Sequence, residues 1–174
     1  MEQKRVLMVI ASSNFRDEEL LIPKRFFESK NIKVTVASTR KEKIRGMLGA
    51  VSTPDITLNE VSIHEYDAVI FVGGSGIDKN RFYENKDCLN IAKASAFRGK
   101  ATAAICLGVK ILANADLLRA RKATCYETAI EYIKDKGAIY TQKDVVQDIN
   151  LITANGPEAA QEFAEKILNY INKK

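Results

Sequence analysis

The most constraining feature of this sequence is a run of small and apolar residues that leads into a cysteine and then into a helical pattern. The run occupies residues 100–105, Cys106 follows it, and apolar residues recur at helical spacing through residues 109–115. This pattern predicts a strand buried on both faces that turns directly into a packed helix. Gly108 provides the small side chain that such a bend favours. The sequence therefore predicts an elbow that presents Cys106 at the carboxyl edge of a sheet.

The position of Cys106 supports two interpretations. At an elbow, its sulfur lies beside free N–H groups of a helix N-terminus, whose partial positive charge favours the nucleophilic thiolate. A free cysteine is also a small apolar residue that commonly packs in a core. The local pattern favours neither interpretation, so the remainder of the chain has to decide between them.

Strand patterns alternate with helical patterns along the whole chain. Strands are predicted at residues 6–11, 32–37, 68–72, 100–105, 122–126, 145–146 and 151–153. Helices are predicted at residues 85–97, 106–117, 128–134 and 157–171, and another begins either at Asp17 with a kink or near Pro23. Residues 39–60 predict a hairpin or an extended excursion. The alternation predicts one α/β domain over residues 1–174, a three-layer sandwich whose mainly parallel sheet carries helices on both faces.

Composition excludes several classes of function. The 174 residues, 46% of them hydrophobic, are enough for one globular domain with a full core. The net charge is +5, but basic and acidic residues are interleaved, which favours an ordinary charged surface over nucleic-acid binding. We expect no membrane span, because no apolar segment approaches the ~20 residues that a membrane helix needs. One histidine and three scattered cysteines predict no metal, no cofactor and a reducing cytoplasm.

Chemistry-bearing residues follow three of the predicted strands. Acidic residues occupy positions 17–19, a glycine-rich turn occupies residues 73–76, and Cys106 follows the central strand. Because parallel strands share one carboxyl edge, we expect these segments to lie close together. An ionised carboxylate raises the pKa of a nearby thiol, whereas a protonated glutamic acid stabilises a thiolate or a sulfinate by donating a hydrogen bond. Acids also stabilise the first turn of a helix, and we assign two of the three to that role.

Five ordered motifs resemble the DJ-1/PfpI family. They lie at residues 17–23, 72–74, 103–108, 117–124 and 150–157. Together they extend over nearly the whole chain and are far more specific than any single motif. The resemblance implies a flavodoxin-like α/β sandwich with a nucleophile elbow. Carried over by position, it implies Cys106 as the reactive cysteine and Glu19 as the acid that assists it. It further implies that the main-chain amides of Gly74 and Leu107 form an oxyanion hole.

Leu107 separates this chain from the peptidase-like members of that family, which carry histidine directly after the cysteine. Leucine accepts no proton, and His64 precedes the strand at residues 68–72, at the edge expected to lie opposite the site. A cysteine–histidine pair therefore cannot be built from adjacent residues. Asp78 lies where some members supply an acid from a neighbouring subunit, but here it has no histidine to orient.

The resemblance implies glyoxalase-like or deglycase-like action of Cys106 on small reactive carbonyls or their adducts, in stress protection. One alternative is a redox-sensing stress protein in which Glu19 holds a Cys106 sulfinic acid. Another is an intracellular cysteine peptidase, which Leu107 disfavours. Family membership also implies a homodimer or a larger assembly.

Two more residues fall in the region where family members place a polar group near the reactive sulfur. Cys125 is expected either to pack in the core or to act as a resolving thiol, and Tyr126 to donate a hydrogen bond to a substrate or to an oxidised sulfur. Cys88 lies on the apolar face of the helix predicted at residues 85–97 and is expected in the core.

Overall fold

The computed structural model describes residues 3–173, apart from the side chain of Asn80. In chain order the strands are β1 (Arg5–Val9), β2 (Lys33–Ser38), β3 (Ile44–Arg45), β4 (Val51–Ser52), β5 (Ile56–Thr57), β6 (Ala68–Phe71), β7 (Ala101–Ile105), β8 (Lys122–Ala123), β9 (Ile139–Tyr140), β10 (Val145–Asp148) and β11 (Leu151–Ala154). The α-helices are α1 (Asp17–Ser29), α2 (Lys86–Phe97), α3 (Val109–Asn114), α4 (Ile130–Asp135) and α5 (Ala160–Asn172).

Seven strands form the central sheet, in the order β10-β11-β7-β6-β1-β2-β5. Each neighbouring pair is parallel except β10 and β11, which form an antiparallel hairpin. Helices α1 and α5 pack together on one face, whereas α2 and α3 cover the other. The predicted three-layer α/β sandwich with a mainly parallel sheet is therefore confirmed. Strands β1, β6, β7 and β11 all end at the same edge, where ligands bind in folds of this type.

Burial of the inner strands explains why they read as continuous apolar runs. Strands β6 and β7 are buried at every position, and β1 is buried from its second residue onward. Strand β7 contains three alanines, and their small side chains allow α2, α3 and α5 to pack close to it. Inner strands that are covered on both faces need apolar residues on both sides, so apolar and polar residues do not alternate along them.

Local structure differs from the sequence prediction at several boundaries. Helix α1 runs through Pro23, so a helix that begins at that proline is the wrong alternative. The strand predicted at residues 122–126 is only the two residues of β8, and α3 ends at Asn114, three residues before the predicted end. Part of residues 39–60 forms the hairpin of β3 and β4, but β5 joins the main sheet beside β2, which the charged, turn-rich sequence did not indicate.

None of the helices among residues 3–173 combines the length and the apolar character needed to cross a membrane.

Candidate active site

The junction between β7 and α3 is the predicted elbow. Cys106 follows Ile105 with φ at +59°, a left-handed conformation that is uncommon for a residue with a side chain, and it begins one 3-10 turn that leads into α3. Gly108 is required in that turn, because a Cβ there would lie 2.5 Å from the carbonyl oxygen of Phe71. The elbow thus packs tightly against the end of β6 and holds the Cys106 side chain at the carboxyl edge of the sheet.

Two glycines after β6 bring the neighbouring loops into contact. Gly74 adopts φ at +110°, and a Cβ on it would lie 2.4 Å from both the Arg16 nitrogen and the Asn14 oxygen. The Arg16 N–H donates to the Gly73 carbonyl at 3.0 Å. A side chain at either position would separate the first loop from the elbow, so these glycines permit the site to close.

Glu19 projects from the first turn of α1 into the space beside Cys106. Its side chain is fully buried, and Oε2 accepts a hydrogen bond from the Gly73 N–H at 2.9 Å. The other oxygen, Oε1, is buried and has no hydrogen-bond partner of good geometry among the described residues. The carboxyl also interacts with the Cys106 thiol, as the mutual effect on their pKa values shows. Glu19 is therefore a buried acid in contact with the candidate nucleophile.

The pKa values of Glu19 and Cys106 are coupled. Burial raises the pKa of Glu19 to about 7, although its hydrogen bonds to Cys106 and Gly73 act in the opposite direction. Burial and then the negative charge of Glu19 raise the pKa of the Cys106 thiol, while the N–H groups of Leu107 and Gly74 lower it. The amides at the elbow therefore act in the predicted direction, but desolvation and the carboxylate outweigh them. Protonation of Glu19 removes the repulsion, so the pair disfavours the state in which both groups are charged.

The three consecutive acids of α1 have three different partners. Asp17 accepts the N–H groups of Leu48 at 3.0 Å and Ala50 at 2.7 Å, which fixes the loop between β3 and β4 beside the site. Glu18 pairs with the Arg16 guanidinium. Of the three acids, only Glu19 reaches Cys106, so the other two have other roles, as predicted. The role of Asp17 goes beyond the first turn of the helix, because it holds a loop that is distant in the sequence.

A half-open cleft of about 910 Å³ leads from the surface to Cys106. Cys106 is 6% exposed and Leu107 is 9% exposed at its floor, and Glu19 and Gly74 also line it. The four residues that the resemblance implied for catalysis thus lie in one cleft. A cleft of this volume suits a small molecule or a reactive group on a larger one.

Cys125 and Tyr126 line the same cleft. The Tyr126 N–H donates to the Cys106 carbonyl at 3.5 Å, and its side chain is half-exposed. Cys125 is buried, and burial raises the pKa of its thiol to about 12 although Lys110 acts to lower it. Cys88 lies on the buried face of α2 and is fully buried, as expected for a core residue.

The residues that a peptidase would need lie elsewhere. His64, the only histidine of the chain, stands before β6 at the opposite edge of the sheet, with its Nε2 3.2 Å from the Arg98 guanidinium. Asp78 accepts a hydrogen bond from Lys110 at 2.6 Å and forms an ion pair with it. Across residues 3–173, no three His, Cys, Asp or Glu side chains are grouped so that they could hold a metal ion.

Sequence reasoning missed Arg16 and Met47, which also line the cleft. Arg16 immediately precedes the acids of α1, so its position in the first loop could have indicated that it lines the cleft. Met47 lies in the loop that Asp17 holds, and its sulfur accepts a hydrogen bond from the Ser75 N–H at 3.3 Å. No local pattern indicates that contact, because it joins two segments 28 residues apart.

Residues 4–170 match the sequence pattern of one protein family, the DJ-1/PfpI family. The chain belongs to this family. An uncharacterised protein of Methanocaldococcus jannaschii is 42% identical to this DJ-1/PfpI chain over 99% of it and 85% of the relative. A deglycase of Thermococcus kodakarensis is 31% identical and covers 87% of this chain and 90% of its own. A glutathione-independent glyoxalase of Caenorhabditis elegans is 27% identical over 95% of this chain and 88% of that protein.

Solved structures of DJ-1/PfpI proteins share the fold. The crystal structure of a ThiJ/PfpI domain protein from Brachyspira murdochii is similar, with a TM-score of 0.95 at 32% sequence identity, and the match covers 100% of this chain and 99% of the other. The resemblance inferred from the five motifs is thereby confirmed, and with it the flavodoxin-like sandwich.

Replacement of Gly73 by alanine tests the close packing of the site. A Cβ on Gly73 would lie 2.5 Å from Glu19 Oε2 and 2.6 Å from the Cys106 Cβ, so we expect Gly73→Ala to lower the free energy of unfolding by about 2 kcal/mol or more. Gly156→Ala is the matched control on the same cleft, because its nearest contact would be an ordinary 3.8 Å to Tyr126. Urea unfolding measures both, and equal stability of the two variants would contradict this packing.

The raised pKa of Glu19 predicts a pH dependence of stability. Folding favours the protonated carboxyl, so this stabilisation is present below the unfolded pKa of about 4.5 and is lost as pH rises through about 7. The Glu19→Gln variant still accepts the hydrogen bond from Gly73, but it does not titrate. Relative to this variant, the free energy of unfolding of the wild type should fall by up to about 3 kcal/mol between about pH 5 and pH 8. Urea unfolding across this range gives the difference, and parallel curves for the two proteins would show that Glu19 titrates normally.

Proposed function

We propose that this protein is a cysteine-dependent enzyme of the glyoxalase or deglycase type, which acts on small reactive carbonyl compounds or their adducts. The relatives named deglycase and glyoxalase support this class of reaction. Within the chain, the observation that carries the proposal is the cluster of Cys106, the buried Glu19 and two amides that interact with the sulfur, at the floor of an open cleft. A nucleophile, a proton carrier and hydrogen-bond donors for a developing oxyanion are the groups that carbonyl chemistry requires.

The first step is addition of the sulfur to an aldehyde carbon. Glu19 accepts the thiol proton, the sulfur forms a bond to carbon, and the C=O electron pair moves to the oxygen. The N–H groups of Gly74 and Leu107, which interact with the sulfur in the resting site, are placed to donate to that oxygen. Return of the proton from Glu19 to the oxygen gives a hemithioacetal, with atoms and charge balanced.

The later steps for a 2-oxoaldehyde use the same acid. Glu19 removes the proton from the sulfur-bearing carbon and returns a proton to the neighbouring carbon. The hydroxyl proton of the sulfur-bearing carbon passes to the oxygen of the neighbouring carbon, so the hemithioacetal becomes a thioester. Water then hydrolyses the thioester, releasing a 2-hydroxy acid and regenerating the Cys106 thiol. A group that gives and takes protons works best with a pKa near the operating pH, and the pKa of Glu19 is about 7.

Peptide cleavage receives less support from the site. A peptide bond releases an amine, which has to be protonated as it leaves, and peptidases with a cysteine nucleophile use an adjacent histidine for this. Here Leu107 follows the cysteine, and His64 lies at the opposite edge of the sheet. We further propose a homodimer or a larger assembly, which follows from the family. We also propose a cytoplasmic location, which follows from the composition.

Methylglyoxal turnover by purified protein tests the proposed enzyme. Cys106→Ser removes the nucleophile and should reduce turnover to the uncatalysed rate, and Glu19→Gln should reduce it by about 10²-fold or more. Cys88→Ser, which changes a cysteine remote from the cleft, is the control and should keep the wild-type rate if it stays folded. Equal rates of methylglyoxal turnover by the wild type and by Cys106→Ser would refute the proposed enzymatic activity.

A redox-sensing role is the second candidate, and it is favoured by Glu19 Oε1, which has no hydrogen-bond partner among residues 3–173. A protonated carboxyl at that position would donate to an oxygen of a Cys106 sulfinate. We expect mild peroxide to add two oxygen atoms to Cys106 before it modifies Cys88 or Cys125, which are also buried. Peptide mass spectrometry identifies the site, and earlier oxidation of either other cysteine would remove the basis for this candidate.

A further inference from the structure

Arg16 is the cationic residue that the proposed chemistry leaves without a role. It stands at the N-terminus of α1, where its backbone N–H donates to the Gly73 carbonyl at 3.0 Å. The residue lines the cleft together with Cys106 and Gly74, and its side chain is 30% exposed. Its backbone is thus anchored to the same glycine that contacts Glu19, and its side chain is partly open to solvent.

Glu18 holds the Arg16 guanidinium in one orientation. The Nε donates to Glu18 Oε2 at 2.8 Å and the Nη2 donates to Glu18 Oε1 at 3.1 Å, a two-point contact that uses one edge of the fork. Within residues 3–173, Nη1 makes no hydrogen bond. A guanidinium that is fixed along one edge and free at Nη1 can bind a second anion with little loss of conformational entropy.

The positive charge of Arg16 interacts with Glu19 and Cys106. The pKa of the guanidinium is raised by Glu18 first, and the charges of Glu19 and Cys106 add to that effect. In turn Arg16 acts to lower the pKa of Glu19. The geometry agrees, because the Gly73 carbonyl accepts the Arg16 N–H and a Cβ on Gly73 would lie 2.6 Å from the Cys106 Cβ, so the loop that carries Arg16 lies beside the residue that carries the sulfur.

We propose that Arg16 is a specificity-determining residue that favours carbonyl compounds with a carboxylate next to the carbon that Cys106 attacks. The inference rests on the proposed function, and it names a preferred substrate class for the same site. In glyoxylate, for example, the sulfur adds to the aldehyde carbon and the carbonyl oxygen takes up the proton. The carboxylate does not react and accepts a hydrogen bond from Arg16.

Two alkylating reagents that differ in charge test this subsite without any turnover. Iodoacetate and iodoacetamide both form a thioether with the sulfur and release iodide, so the ratio of their rates at Cys106 reports attraction of the anion. Any change in thiolate content affects both reagents and cancels in the ratio. We expect Arg16→Gln to lower the iodoacetate to iodoacetamide ratio about tenfold, the effect of losing one charge-assisted hydrogen bond. Peptide mass spectrometry measures the modification of Cys106 alone.

The control replaces the other basic residue that lines the cleft. Lys143→Gln removes one positive charge from an exposed loop and should leave the ratio within about twofold of the wild type. An unchanged ratio in Arg16→Gln overturns the proposal. An equal decrease in Lys143→Gln overturns it too, because the effect would then come from the overall charge of the cleft.

Protection of Cys106 by reversible adducts measures the preference with carbonyl compounds themselves. Glyoxylate and methylglyoxal should each slow alkylation by iodoacetamide by forming a hemithioacetal. In Arg16→Gln we expect protection by glyoxylate to need about tenfold more compound, with protection by methylglyoxal unchanged. Loss of protection by both compounds in this variant would assign Arg16 to reactivity and overturn its role in specificity. The proposed enzyme is tested separately, by methylglyoxal turnover in Cys106→Ser.

Discussion

The buried carboxyl group of Glu19 is the interaction on which the site depends. One of its oxygens is fixed by the Gly73 N–H, and the group lies against the Cys106 thiol with no water-exposed surface. Burial of an acid beside a thiol disfavours two negative charges, so the pKa values of both groups are raised. This electrostatic constraint distinguishes the pair from cysteine–histidine pairs, which hold a thiolate as an ion pair.

Close backbone packing makes that burial possible. Gly73, Gly74 and Gly108 lie at three points where a side chain would collide with a carbonyl, an amide or the carboxyl of Glu19. The loops after β1 and β6 and the elbow after β7 consequently meet within hydrogen-bonding distance. The left-handed conformation of Cys106 is part of the same geometry, because it turns the chain from the sheet into α3 while directing N–H groups toward the sulfur.

Two acidic residues of the segments around the site each form an ion pair. Asp78 is bound to Lys110 and Glu18 to Arg16, so neither acid is free to orient a base. Of the three acids in the first turn of α1, Glu19 is the one that interacts with Cys106. The pairing also gives Arg16 a fixed orientation while leaving Nη1 uncommitted, which converts a surface cation into a potential recognition group. Reaction and recognition would then depend on neighbouring residues of a single helix turn.

The sequence by itself determined the layered α/β fold, the elbow at Cys106 and the absence of a histidine beside it, because burial of inner strands and tight turns impose local residue patterns. It also indicated Glu19 among three consecutive acids through the family motif. Only the tertiary structure decided that Asp17 holds a loop 31 residues away, that Arg16 faces the cleft, and that β5 joins the main sheet. It also decided that the pKa values of Glu19 and Cys106 are raised. Desolvation depends on which distant segments cover a group, and no local pattern records that.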